Sequence, residues 1–140
     1  KGCEILIESI YKIKNKINFY VLLAGPYTGS EYEKEIKAKV VELNLEKKIF
    51  FSNALYNNIK WGSILACKGM VLSSHGENFG ISLAESLSLG KPVITTRKVN
   101  IANDIKKYNA GLISNNDSNS FKKKLIQFDN FKKKKIIYNV

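Results

Sequence analysis

Glu77 and Glu85 stand eight positions apart inside HGENFGISLAESLSLGKPVITT, residues 75–96. They lie around the start of an apolar-periodic segment that reads as a helix. A carboxylate accepts hydrogen bonds in a fork, the geometry that paired hydroxyls of a ribose or sugar require. Between the two acids, small and polar residues leave the amides of Phe79, Gly80 and Ile81 at a helix amino end. Amides there, with the helix dipole behind them, favour a phosphate. On periodicity alone, Glu85 reads equally well as a solvent-facing helix residue.

The flanking elements decide where such a site would sit. Gly69–Ser74 (GMVLSS) is a strand pattern, Gly80–Leu89 a helix closed by Gly90, and Pro92–Thr96 the next strand. Upstream, the spacing predicts a helix over Gly2–Lys14 and a strand over Asn18–Ala24 ended by Gly25-Pro26. A helix capped by Ser30 and rich in early glutamates then runs to Leu43. Lys48–Ser52 is a strand, Ile59–Ala66 a helix and Ala110–Ser114 a last strand. Asp117 or Ser118 caps a helix over Asn119–Phe128, and another follows over Phe131–Tyr138. Strands separated by single helices imply right-handed crossovers and one α/β domain: a Rossmann-like, three-layer αβα arrangement with a mostly parallel sheet. In such sheets a ligand lies where the carboxyl ends of strands meet the amino ends of helices.

At 140 residues the chain is one domain in size. It starts with Lys1, and its single methionine is Met70. These residues therefore read as part of a longer protein. No apolar run is long enough to span a bilayer and no signal-peptide core is present, so the chain reads as soluble and cytoplasmic. Cys3 and Cys67 belong to no Cys-x-x-Cys pair or His/Cys cluster and read as buried thiols of a reducing compartment, with no metal site. The net charge of +11 comes almost wholly from lysine, with Arg97 the lone arginine. Arginine forks and exposed aromatics expected of a nucleic-acid reader are scarce. Peripheral contact with an anionic membrane, through Lys122–Lys124 and Lys132–Lys135, fits the charge better. His75 reads as a hydrogen-bonded surface residue. Trp61, Phe50 and Phe51 read as core or helix–sheet packing, Arg97 and Lys98 as solvated charges, and Gly25–Gly29 as a turn that lacks the Lys-Ser/Thr of a phosphate loop.

Ser74, Glu77, Phe79, Gly80, Glu85, Gly90, Pro92 and Val93 together resemble the Glu-x7-Glu signature of the family-4 retaining glycosyltransferases. Lys1-Gly2, VLLAG (21–25) and IFFSNAL (49–55) resemble further family segments in the right order, so the likeness covers almost the whole chain. ENFGISLAES and KVN most resemble members that build surface polysaccharides. Ser86, Asp104 and Ser73 depart from the family's common alanine, glutamate and proline.

The resemblance implies the C-terminal, donor-binding half of a GT-B enzyme, lacking the first strand of that half and its arginine. It implies Glu85 on the ribose, Glu77 against the donor sugar as the catalytic residue that positions it, and Lys1 with the Phe79–Ile81 amides on the diphosphate. Asn53, Ala54 and Leu55 would lie near the base. The donor would be a nucleoside-diphosphate sugar, used without a metal or other cofactor, and a glycan or lipid-linked acceptor would bind a further N-terminal domain. Alone, these residues are expected to bind nucleotide weakly and transfer nothing. A nucleotide-sugar epimerase, a non-catalytic nucleotide-binding module and a basic membrane- or nucleic-acid-binding domain are the alternatives.

Overall fold

The computed structural model describes residues 2–131. Eleven elements alternate along it: α1 (Cys3–Tyr11), β1 (Val21–Ala24), α2 (Glu31–Glu42), β2 (Ile49–Ser52), α3 (Asn57–Ala66), β3 (Met70–Leu72), α4 (Ile81–Ser88), β4 (Val93–Thr96), α5 (Ala102–Lys107), β5 (Gly111–Ser114) and α6 (Ser118–Phe131). The expected helix over Phe131–Tyr138 and the Lys132–Lys135 cluster lie outside the described residues, apart from Phe131, where α6 ends.

Every strand pair is parallel, as the single-helix crossovers require. The parallel strands form two ladders. β1 pairs with β2 from Val21↔Ile49 to Ala24↔Ser52, and β3, β4 and β5 form a second sheet in that order. The second sheet is covered on both faces, and its side chains alternate accordingly. Val71, Ile94 and Leu112 join the core with α1 and α6, through Ile7, Ile10, Phe121 and Leu125. Met70, Leu72, Val93 and Ile113 face the other way, with Leu83 and Leu87 of α4 and Ile105 of α5. In the first sheet Val21, Leu23 and Ile49 pack toward α1 and α2. The opposite face leaves Leu22 and Phe50 about half exposed.

Local chemistry explains most element ends. The Ser30 side chain accepts from Glu33 N, while Glu33 Oε2 accepts from Thr28 N and Gly29 N, so both strands of the turn into α2 are tied. At α6 the cap is Asp117, whose Oδ1 accepts from Ser120 N at 2.7 Å. Gly90, at φ 68°, ends α4, with Lys91 N donating back to Ser86 O. One helix went unforeseen. α5 is six residues long, with Ala102 and Ile105 its buried positions and no side-chain cap, too short for a period to stand out.

Two packing expectations are corrected. Trp61 is 38 % exposed, since α3 buries only Ile64; Phe50 lies beside Leu22 on the open face of β1–β2, and Phe51, on the other face, is exposed where it lines a cavity. Cys3 and Cys67 are free thiols but only half-buried; the Cys67 Sγ donates to Ile64 O.

α1 begins at Gly2, which is buried at φ 76°. A Cβ on Gly2 would stand 1.7 Å from Ser73 O, and Ser73 Oγ donates to Gly2 O at 2.7 Å. Gly29 has a similar φ of 68° but open space around it. Gly2→Ala is therefore expected to lower unfolding free energy by about 3 kcal/mol or more, combining left-handed strain with a hard overlap. Gly29→Ala should cost about 1 kcal/mol from strain alone. Urea denaturation of both variants checks this, and equal losses would show that the Ser73 contact is not tight.

Candidate functional site

The carboxyl ends of β1, β2 and β3 open on one side of the molecule. Past β1 and β2 lies a cavity of about 510 Å³, lined by Leu23 to Thr28, Tyr32, Glu33, Lys37, Phe51 to Asn53, and Cys3 at the start of α1. Gly25 to Thr28 of the turn after β1 form one wall of this cavity. Lys37 Nζ bonds Glu33 and sits 3.9 Å from the Tyr27 ring centroid, so the cation is shared between an acid and an aromatic face. Asn53 lines the cavity, and Ala54 and Leu55 continue from it, partly buried, toward α3.

Past β3, the chain runs through Ser73–Gly80 before α4 starts. Thr96 Oγ1 donates to Ser74 O, holding this exit against β4. Glu77 is fixed by its backbone, with its N–H donating to Lys98 O and its carbonyl accepting from Asn100 N, as a parallel bridge to Val99. Its side chain is exposed and has no partner among the described residues. Gly80, at φ 72°, is the N-cap of α4, and a Cβ there would press on Val99 Cγ1 at 3.1 Å. No described acceptor takes the amides of Phe79, Gly80 or Ile81, and Phe79 and Ile81 are exposed. Gly80 itself is buried; unpaired amides at a helix start are of the kind that take an anion.

Glu85, one turn into α4, is not solvent-facing. Its side chain is 21 % exposed, and Oε1 accepts from Lys60 Nζ of α3 at 2.6 Å. Nothing in the sequence marked Lys60, which precedes Glu85 by 25 residues. The structure thus brings Phe79, Gly80, Ile81 and Glu85 together on α4 with Glu77 on its entry loop. Asn53 to Leu55 belong to the neighbouring strand end. Lys1 lies outside the described residues, immediately before Gly2. Arg97 and Lys98 are exposed, as read from the sequence.

A hydrogen-bonded chain that sequence reading did not anticipate joins the two strand ends. Asn116, after β5, contacts His75 Nδ1 at 2.7 Å; His75 Nε2 meets Glu4 Oε1, and Tyr32 OH donates to Glu4 Oε2 at 2.7 Å. The amide of Cys3 in turn donates to Tyr32 OH. His75 is the exposed, hydrogen-bonded residue expected. Its partners come from α1 and the β5–α6 loop, 71 and 41 residues away, so no local signal could name them.

A family model described as glycosyl transferases group 1 matches residues 1–138. The chain belongs to that family. An uncharacterized glycosyltransferase of Methanocaldococcus jannaschii is 30 % identical over 131 residues, 93 % of this chain and 35 % of that protein. The chain thus spans about a third of that relative's length. Among solved structures, the C-terminal domain of a group 1 glycosyl transferase from Francisella tularensis superposes with a TM-score of 0.80 at 24 % identity, over 95 % of this chain and 71 % of that one. Anabaena HepE, solved in complex with UDP, superposes with a TM-score of 0.77 at 20 % identity, over 94 % of this chain and 36 % of that one; HepE has also been solved with UDP-glucose. The fold is that of the Rossmann-like C-terminal domain of GT-B proteins. Among the described residues no cluster of three or more His, Cys, Asp or Glu could hold a metal ion, and no helix is long and apolar enough to cross a membrane.

The Glu4 carboxyl titrates at an unusual pH. Burial pushes it up, but the hydrogen bonds from His75, from its own backbone amide and from Tyr32 outweigh burial and hold it at about 2, against an ordinary 4.5. Burial and the same carboxylate push the Tyr32 phenol above its ordinary value. A folded value below the unfolded one means that Glu4 adds stability above pH 4.5, and that this contribution is lost as pH falls toward 2. Glu4→Gln is expected to flatten the fall of the urea midpoint between those two pH values, where the unsubstituted chain loses stability steeply. Parallel acid limbs for the two proteins would show that Glu4 is not linked to folding.

Proposed function

We propose that this chain is the donor-binding half of a retaining glycosyltransferase, which moves a hexosyl group from a nucleoside-diphosphate sugar to a glycan or lipid-linked acceptor in polysaccharide biosynthesis. One observation carries the reading: the start of α4 has amides without a described acceptor, with Glu77 on its entry loop and the half-buried Glu85 one turn in. Binding of UDP and UDP-glucose by the similarly folded Anabaena protein supports a diphosphate-linked sugar as the ligand.

In this reading the base enters beside Asn53, Ala54 and Leu55, and Glu85 accepts the ribose hydroxyls. The diphosphate lies on the amides of Phe79, Gly80 and Ile81, with Lys1 beside it, and Glu77 holds the sugar. When the bond from the anomeric carbon to the diphosphate oxygen breaks, negative charge grows on the leaving phosphate. Oriented amides and a lysine meet that charge without reorganising, which is the economical way to lower such a barrier. These groups take the place a metal ion would otherwise fill. Glu77, fixed by backbone bonds on both sides to the Lys98–Asn100 segment, is built to position the sugar rather than to swing. The acceptor would be held by residues beyond this chain, at the cytoplasmic face of the membrane, where the lysines of α6 would provide peripheral contact.

The intact protein, assayed against a panel of nucleoside-diphosphate hexoses, tests the reading. Glu85→Ala should raise donor KM by roughly 10- to 100-fold, the range for losing hydrogen bonds to a charged acceptor, with a smaller change in kcat. Glu77→Gln should lower kcat by about 100-fold or more. The product should keep the donor's anomeric configuration by NMR. Unchanged turnover in Glu77→Gln, or an inverted product, would refute the assignment.

A further inference from the structure

Lys60 lies in the first turn of α3 and has no part in the site as described so far. Its Nζ donates to Glu85 Oε1 at 2.6 Å and lies 4.6 Å from the centroid of the Trp61 ring. The pair links helices that follow different strands, β2 and β3, and both side chains are mostly covered, at 33 and 21 % exposure. Its value is not in holding α3 down. A partly exposed Lys–Glu pair contributes little to stability, and α3 buries only Ile64 while Ile59, Trp61 and Leu65 stay exposed. What the pair does is geometric.

Glutamate has three rotatable side-chain bonds, so an unrestrained carboxylate loses considerable freedom on accepting a ligand. Lys60 occupies one oxygen of Glu85, and the other, Oε2, has no partner among the described residues. We infer that Lys60 is a positioning residue for nucleoside recognition: it holds the Glu85 carboxylate in one orientation through Oε1 and leaves Oε2 to the ribose hydroxyls. The inference rests on the donor-site reading of Glu85 given above. It makes ribose selectivity a property of two helices, with the Trp61 ring beside the ammonium group.

The test measures dissociation constants of the intact protein for UDP, ADP, GDP and CDP, each beside its 2′,3′-dideoxy counterpart, by titration calorimetry. The unsubstituted protein should bind at least one ribonucleotide tenfold or more tighter than the dideoxy form. Lys60→Met should bring that ratio down to about threefold or less with dideoxy affinity unchanged, Lys60→Arg should restore most of it, and Lys60→Met should add nothing in a Glu85→Gln background. Thermal unfolding checks each variant, and Lys60→Gln replaces Lys60→Met if the latter does not fold. A wild-type ratio in Lys60→Met, or an equal loss for ribo and dideoxy forms, overturns the role of Lys60 while leaving Glu85 in place. No discrimination by the unsubstituted protein for any of the four overturns the reading of Glu85 itself, and the Lys60 inference with it.

Discussion

Where the backbone of Gly2 meets the carbonyl of Ser73, no side chain fits between them, and the Ser73 hydroxyl closes the contact from the other side. That contact sets the start of α1 against the exit of β3. From there α1 runs with Ile5, Leu6, Ile7 and Ile10 fully covered, in one core with Val21, Leu23 and Ile49 of the first sheet and Val71 and Ile94 of the second. α1 thus packs against both sheets at once. Close-packed cores transmit position, so the cavity beside β1 and the loop after β3 keep their relation through this helix.

The polar groups follow the same logic. Glu4 sits on the first turn of α1, next to the contact that seats it. It receives Tyr32 from α2 and meets His75 from the loop before α4. Lys60 and Glu85 make a second bridge, between α3 and α4, at the far side of the same loop. The loop from Ser73 to Gly80 is therefore held by backbone bonds to the Lys98–Asn100 segment, by the Thr96 hydroxyl and by side chains from other elements, while its helix-start amides stay open. Rigid surroundings around unpaired donors are what preorganisation consists of.

Much of this was legible in residue order, for reasons that differ by element. Ser30, Gly80, Gly90 and Asp117 act within a few residues of themselves, through caps and left-handed turns, so their roles can be read locally. The strands of the second sheet, covered on both faces, carry apolar and β-branched residues throughout and are equally plain. Phe50 and Trp61 are exposed, and an apolar side chain carries no mark in the sequence of whether it is covered. The acids at 77 and 85 were visible as a spaced pair, whereas Lys60, Tyr32 and Asn116 reach the site only through tertiary structure.

The pairing of α1 with α6 bears on the order in which the molecule assembles. Ser9 Oγ donates to Ser118 O and Lys12 reaches Ser118 and Asn119, contacts that span more than a hundred residues. The β1–α2–β2 and β3–α4–β4–α5–β5 units close much shorter loops and lose less chain entropy in doing so. Each unit can thus form before the first and last helices meet, and their meeting is the step that joins two half-built pieces. The seam between α1 and α6 therefore lies far along the chain from the strand ends after β2 and β3, so variation there can alter recognition while leaving the seam untouched.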